Sequence, residues 1–200
     1  MTTESVLLRR RLSVGQQERR QRVIDVASEL AEQGGYDAVA MKDVADRSGV
    51  ALATLYRWFA PKDHLLGEVL LEWGARVEAD LRSDPPSQPS GADRILEFVR
   101  RFSAVVATYP RLVSAVTSAL LSLDPNVVDH QDDFHEMTVR WIDTALGDLD
   151  VHERDTVIDV LEAVCFSGIV GLVSGRHTPD EFGTQLERAA RLLLASSARD

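Results

Sequence analysis

Residues 41–66, MKDVADRSGVALATLYRWFAPKDHLL, decide how the whole chain is read. Their apolar positions and breakers predict a short helix over 41–47 with Val44 inward, a tight turn at Ser48-Gly49, and a second short helix over 52–59. A third helix opens at Pro61, where a missing N–H costs nothing. Leu55 and Phe59 stand four apart and predict the buried face of the second helix, leaving Leu52, Ala53, Thr54, Tyr56 and Trp58 for its outer side. A helix this short is unstable alone, so its neighbours must hold it.

On the N-terminal side, Val23, Ile24, Ala27, Leu30 and Ala31 predict an amphipathic helix over 16–33 that Gly34-Gly35 ends, with Tyr36 and Val39 plugging a small core. Residues 1–15 lack periodicity and carry the cluster Arg9, Arg10, Arg11, a flexible basic arm suited to phosphates or the minor groove. On the C-terminal side, one long helix fills 61–82, and SDPPSQPSGA at 83–92 is a loop. Helical patterns then continue to the end with no strand alternation. One of them, 112–123, is apolar on nearly all sides and predicts burial. Asp124-Pro125, Asp150-x-x-Glu153 and Thr178-Pro179-x-Glu181 are helix starts. The fold class is therefore all-α: a three-helix helix-turn-helix head at 16–60, followed by a helical bundle at 61–200.

Net charge is −10, which by itself opposes a polyanionic partner. Its distribution does not: residues 1–62 hold ten Lys and Arg against eight carboxylates, +2, while the remainder carries −12. A slightly basic head on an acidic body orients the head towards DNA. One cysteine, Cys165, in an apolar run gives no disulfide framework and suits a reducing, cytoplasmic compartment. No signal peptide, membrane anchor or bilayer-length apolar stretch is expected.

The combination GV-x-x-x-TLY-x-x-F-x-x-K-x-x-LL, preceded by VA-x-x-x-GV, resembles the DNA-binding domain of the TetR family over residues 20–70. The resemblance implies a base or phosphate contact from Lys42, a recognition-helix front at Leu52, Ala53 and Thr54, and phosphate contacts from Tyr56 and Lys62. Trp58 stands where the family commonly has histidine, which implies a van der Waals or indole N–H contact. Ala40 and Ala51 replace helix-capping Thr or Ser, an acceptor worth ~1 kcal/mol at each helix start. With Leu52 and Ala53 at the front, specificity leans on thymine methyls, Lys42, Thr54 and the arm.

For the body the same resemblance implies a homodimer and an effector pocket. Apolar stripes over 151–174 and 179–197 look wider than one core needs, with Gly168, Gly171 and Gly175 allowing a second subunit close. Phe98, Phe102, Phe134, Met137, Trp141, Cys165 and Phe166 are the candidate lining of an apolar cavity. Within the family the reading segment is most similar to repressors of actinobacterial sterol and lipid catabolism, implying a lipid, steroid or acyl-CoA effector. No cofactor or metal is expected: His130 and His135 lie among Asp129, Asp132, Asp133 and Glu136 at a spacing that fits no tight site. The competing class is an all-helical enzyme or carrier acting on lipid, with the head as an interaction module. It needs an acid/base set, and His135 with Glu136 is the best the chain offers.

Overall fold

The computed structural model describes residues 13–88, 90–147 and 154–197. Among them every regular element is a helix: α1 (Val14–Ala38), α2 (Met41–Ser48), α3 (Leu52–Trp58), α4 (Lys62–Ser83), α5 (Gly91–Thr108), α6 (Pro110–Leu120), α7 (Pro125–Leu146), α8 (Arg154–Val173) and α9 (Pro179–Ser197). The all-α expectation holds. Two compact units form, Met1–Ala75 with Arg111–His135, and Arg76–Pro110 with Glu136–Asp200.

In the first unit α1, α2 and α3 do not close a core by themselves. Val23, Ile24, Val44, Leu55 and Phe59 join one apolar cluster with Leu65, Leu66 and Leu70 of α4, Leu112 and Val116 of α6, and Val127 of α7. This core is therefore shared by α1–α3 with α4, α6 and α7, because α1–α3 present more apolar surface than they can cover among themselves. α1 starts earlier than its periodicity suggests, since the Gln16 side chain accepts from the Ser13 N–H at 2.9 Å. Gly35 breaks it where the sequence predicts the stop: its φ of 70° is non-helical and one a side chain would resist, and a last turn beyond it ends at Ala38.

Polar groups lie inside this unit. Glu68, 2% exposed, receives Arg20 Nη2 at 2.5 Å and Nη1 at 3.3 Å, and the Arg20 guanidinium lies 4.7 Å from the Phe59 ring centroid. Tyr36 does more than plug: its hydroxyl donates to Asp63 at 2.8 Å, while Ser122 donates to the other Asp63 oxygen at 3.0 Å. Burial, then the hydrogen bond and charge of Asp63, push the Tyr36 phenol up to about 12.

The second unit is apolar inside. Ile95, Phe98, Val99, Phe102, Trp141, Ile142, Leu161, Phe182 and Leu186 are buried, and α9 packs on α5 and α8. α9 opens as predicted: Glu181 Oε2 accepts the Thr178 N–H at 2.8 Å, and Thr178 Oγ1 accepts the Glu181 N–H at 3.2 Å. Asp124 likewise accepts the Asn126 N–H at 2.8 Å at the start of α7, while Asp150-x-x-Glu153 lies outside the described residues.

Three expectations need correction. Leu121 and Leu123, read as the buried end of 112–123, follow α6 into the connection and are 57% and 96% exposed. Gly168 and Gly171 serve close packing within the chain: an added Cβ would lie 2.6 Å from the Phe182 ring and 1.9 Å from the His177 ring. Finally, α8 is long and apolar enough to cross a membrane by length and composition, because after its first two residues Asp159 and Glu162 are its only charges. Val157, Ile158, Leu161, Gly168 and Gly171 of that helix are nonetheless buried.

Candidate nucleic-acid interface

α2 exists because Met41, Val44, Ala45 and Ser48 bury one face of a two-turn helix. Gly49 ends it at φ 70°, ψ 25°, a left-handed conformation disfavoured for other residues, and the Ala45 carbonyl accepts from the Gly49 N–H and, at 3.1 Å, from the Val50 N–H. That turn aims α3. Leu55 and Phe59 are fully buried and fix it from below; Leu52, Ala53, Tyr56 and Arg57 are exposed and Thr54 half-buried above. As the sequence implies, neither Ala40 nor Ala51 supplies a side-chain cap, so α2 and α3 depend on packing.

The expected contact residues divide into two groups. Lys42, Leu52, Ala53 and Tyr56 present free surface, with Tyr56 49% exposed. Trp58 and Lys62 are more occupied. Trp58 is half-buried and packs against the core. Lys62 donates to the Tyr36 carbonyl at 2.8 Å with its ammonium 3.5 Å from the Tyr36 ring centroid, a cation–π contact at the end of α1. Burial lowers the Lys62 pKa against the raising influence of Asp37 and Asp63. Arg9, Arg10 and Arg11 lie outside the described residues. Sequence reading missed Arg57, an exposed cation in the last turn of α3 with no acidic partner among the described residues. Its position one step beyond Tyr56 was the available signal. Arg47, by contrast, is paired with Glu29 at 2.8 Å.

In the second unit a cavity of about 20 Å³ brings together four of the seven candidate lining residues, Phe98, Phe102, Trp141 and Cys165. The aromatic members stack in sequence, with 6.2 Å between the centroids of Phe98 and Phe102 and again between Phe102 and Trp141. Phe134 packs against the core of the first unit, Met137 is buried away from the cavity wall, and Phe166 is 40% exposed. Val99, Thr138, Ile142, Leu161 and Leu186 complete the lining; as ordinary aliphatic or small residues they gave no signal of their own. Burial pushes the Cys165 thiol up to about 12, so it sits there as a neutral thiol. The space suits about one water molecule. His135 and Glu136 are both exposed, and Glu136 lies 3.9 Å from Arg140, an arrangement with no enclosed place for a substrate.

Known proteins share this arrangement. A family model described as bacterial regulatory proteins, tetR family, matches residues 23–69, from within α1 to within α4. The HTH-type transcriptional repressor KstR of Rhodococcus jostii is 30% identical over 188 residues, 94% of this chain and 88% of that protein. KstR of Mycobacterium tuberculosis is 28% identical over 91% of this chain and 83% of its own length. Among solved structures, a TetR transcriptional regulator from Rhodococcus sp. RHA1 superposes with a TM-score of 0.72 at 26% identity, covering 90% of this chain and 97% of that one. The regulator FadR from Bacillus subtilis, solved with stearoyl-CoA, shares the fold at 12% identity and a TM-score of 0.63, over 88% of this chain and 97% of its own. With its glycine-closed turn, buried Leu55 and Phe59, and similarity along nearly its whole length to named repressors, the chain belongs to the TetR family: it is a helix-turn-helix transcriptional repressor and not an enzyme.

Proposed function

We propose that this chain works in the cytoplasm as a homodimer that reads a palindromic operator through α2 and α3 and is released from it by a small apolar effector. The observation carrying the first half is the contrast along α3, with Leu55 and Phe59 fully buried while Leu52, Ala53 and Tyr56 stand free. Residues 16–60 act as the reader, with residues 1–15 as a basic arm, and residues 61–200 bind effector and partner. Lys42 and Tyr56 contact phosphate, Leu52, Ala53 and Thr54 meet base edges, and Trp58 contributes its exposed rim. Lys62 reaches phosphate after leaving the Tyr36 carbonyl. Two-fold pairing is favoured by apolar surface left on α8 and α9: Val160, Phe166 and Val173 are 37 to 40% exposed and Leu192 67%.

Selection from random duplexes, followed by titration of the recovered site, tests this reading. The recovered site should be two-fold symmetric with half-sites a helical turn or more apart. Tyr56→Ala should weaken binding to all sequences with the salt slope little changed, because a phenol carries no charge, whereas Lys42→Ala should lower the slope by about 1 and Thr54→Ala should relax preference at one base step, by about 1–3 kcal/mol. An asymmetric site, or Tyr56→Ala binding as tightly as wild type at every salt concentration, refutes the assignment. Phe166→Asp should leave a monomer by sedimentation.

The effector half rests on the aromatic cavity and on resemblance to lipid-responsive relatives. FadR with stearoyl-CoA shows that this fold is compatible with an acyl-CoA in another protein. A lipid, steroid or acyl-CoA must weaken operator binding by the same factor by which operator weakens its own binding.

A further inference from the structure

Beneath α3, two imidazoles and a carboxylate from two helices meet in the first unit. His64 and Glu68 are four residues apart on α4 and share its face. His130 of α7 comes up against them because Gly67 leaves it room: an added Cβ there would lie 3.0 Å from His130 Cγ. The potential ligand atoms of all three residues lie within 4.8 Å of one another, with Glu68 2% and His130 6% exposed. His130 Nε2 sits 3.2 Å from Glu68 Oε1, and its Nδ1 is buried without a hydrogen-bond partner among the described residues. A buried imidazole nitrogen in that condition is unusual in a settled core. The His64 ring lies 5.0 Å from that of His130, edge to face. Chain order hides the cluster, since His130 lies more than sixty residues from its partners and was read only against its neighbours in sequence.

We propose that His64, Glu68 and His130 bind a divalent transition-metal ion of the zinc class, with Arg20 as a built-in competitor for Glu68. Two imidazoles, one carboxylate and a water make a four-coordinate set, and half-buried His64 provides the way in. Bond lengths of roughly 2.0–2.2 Å draw tetrahedral ligand atoms to about 3.4 Å, a contraction within the reach of side-chain rotation. Glu68 Oε1 now faces both Arg20 at 2.5 Å and His130 at 3.2 Å, so an arriving cation must take that oxygen. A guanidinium and a dication repel one another at this range in a poorly solvated site. Metal uptake therefore displaces Arg20, whose side chain is 11% exposed and lies at the edge of the cluster, from Glu68 and from the face of Phe59. This site is independent of the operator reading.

The test titrates metal-stripped full-length protein with zinc alone against a chromophoric chelator, and with cobalt(II) alone for its visible absorption. Wild type should take up one zinc per chain and give the intense bands of four-coordinate cobalt. Arg20→Met should bind about tenfold tighter, because the cation competing for Glu68 is gone. Glu68→Gln and His64→Gln should lose the site, while His135→Gln, exposed on the same α7, should keep it. Helical circular dichroism and melting confirm folding; should Glu68→Gln fail to fold, half-buried His64→Gln and Arg20→Met decide. No zinc uptake by wild type, unchanged affinity in His64→Gln, or an Arg20→Met affinity no higher than wild type overturns the proposal and leaves a plain buried ion network.

Discussion

The two units solve the same packing problem with opposite materials. The first buries polar groups: Glu68, Arg20 and His130 meet inside it, and the Asp63 clamp joins Tyr36 to Ser122. The second buries aliphatic and aromatic groups around a small void, keeping its ion pairs, such as Arg100–Glu187 at 2.8 Å, at the surface. Buried, directional pairs tolerate one arrangement of their helices, whereas apolar side chains slide and repack at small cost. On the proposed function, a reader that presents Tyr56 and Thr54 at fixed spacing gains from the first kind of interior, and an effector-binding body gains from the second.

The largest expected effect attacks the first unit from its apolar side. Phe59→Ala removes a fully buried ring that also underlies Arg20, and should lower unfolding free energy by about 3–5 kcal/mol in urea titrations. In the second unit, Gly168→Ala places a methyl 2.6 Å from the Phe182 ring, and overpacking should cost about 1–3 kcal/mol, read as a lower melting temperature. A loss at the low end would support the idea that this interior repacks; a loss as large as that of Phe59→Ala would erase the contrast. Caps give a smaller and reciprocal pair. Thr178→Ala should lose about 1 kcal/mol by removing the acceptor of the Glu181 N–H, while Ala51→Ser should gain up to about 1 kcal/mol by capping α3.

Apart from these substitutions, a pH slope is confined to the first unit. His64 has its pKa lowered from 6.5 to about 4, so between those values the unfolded chain holds the extra proton and the folded chain does not. Stability should therefore fall as pH drops from 6.5 towards 4 and level off below, in metal-free protein. His64→Gln should flatten that limb of a pH series of urea midpoints; an unchanged limb would place the proton elsewhere.

What the sequence disclosed followed from local rules. Glycine closure, proline starts and the Thr178 capping box act within a few residues, so helix order and the α2–α3 turn were readable. The spacing of Leu55 and Phe59 gave the orientation of α3 for the same reason. Partnerships across distance were hidden. Nothing near Lys62 foretells that the Tyr36 carbonyl receives it, and nothing near Gly168 says that Phe182, not a second subunit, fills the gap. The cavity lining was half readable: aromatics announce themselves, but Thr138 or Leu186 differs from any core residue only by where α7 and α9 bring it.

The cavity carries a thermodynamic consequence for regulation. A lipid of ordinary size needs several hundred Å³, and this cavity holds about 20 Å³, so it must open before it can receive one. Measured affinity for such an effector is then its intrinsic affinity multiplied by the fraction of molecules already opened. On the proposed function, sensitivity is then tuned without touching the effector: a substitution that loosens the walls raises the open fraction and shifts the concentration at which repression lifts, even though it forms no contact with the molecule being sensed.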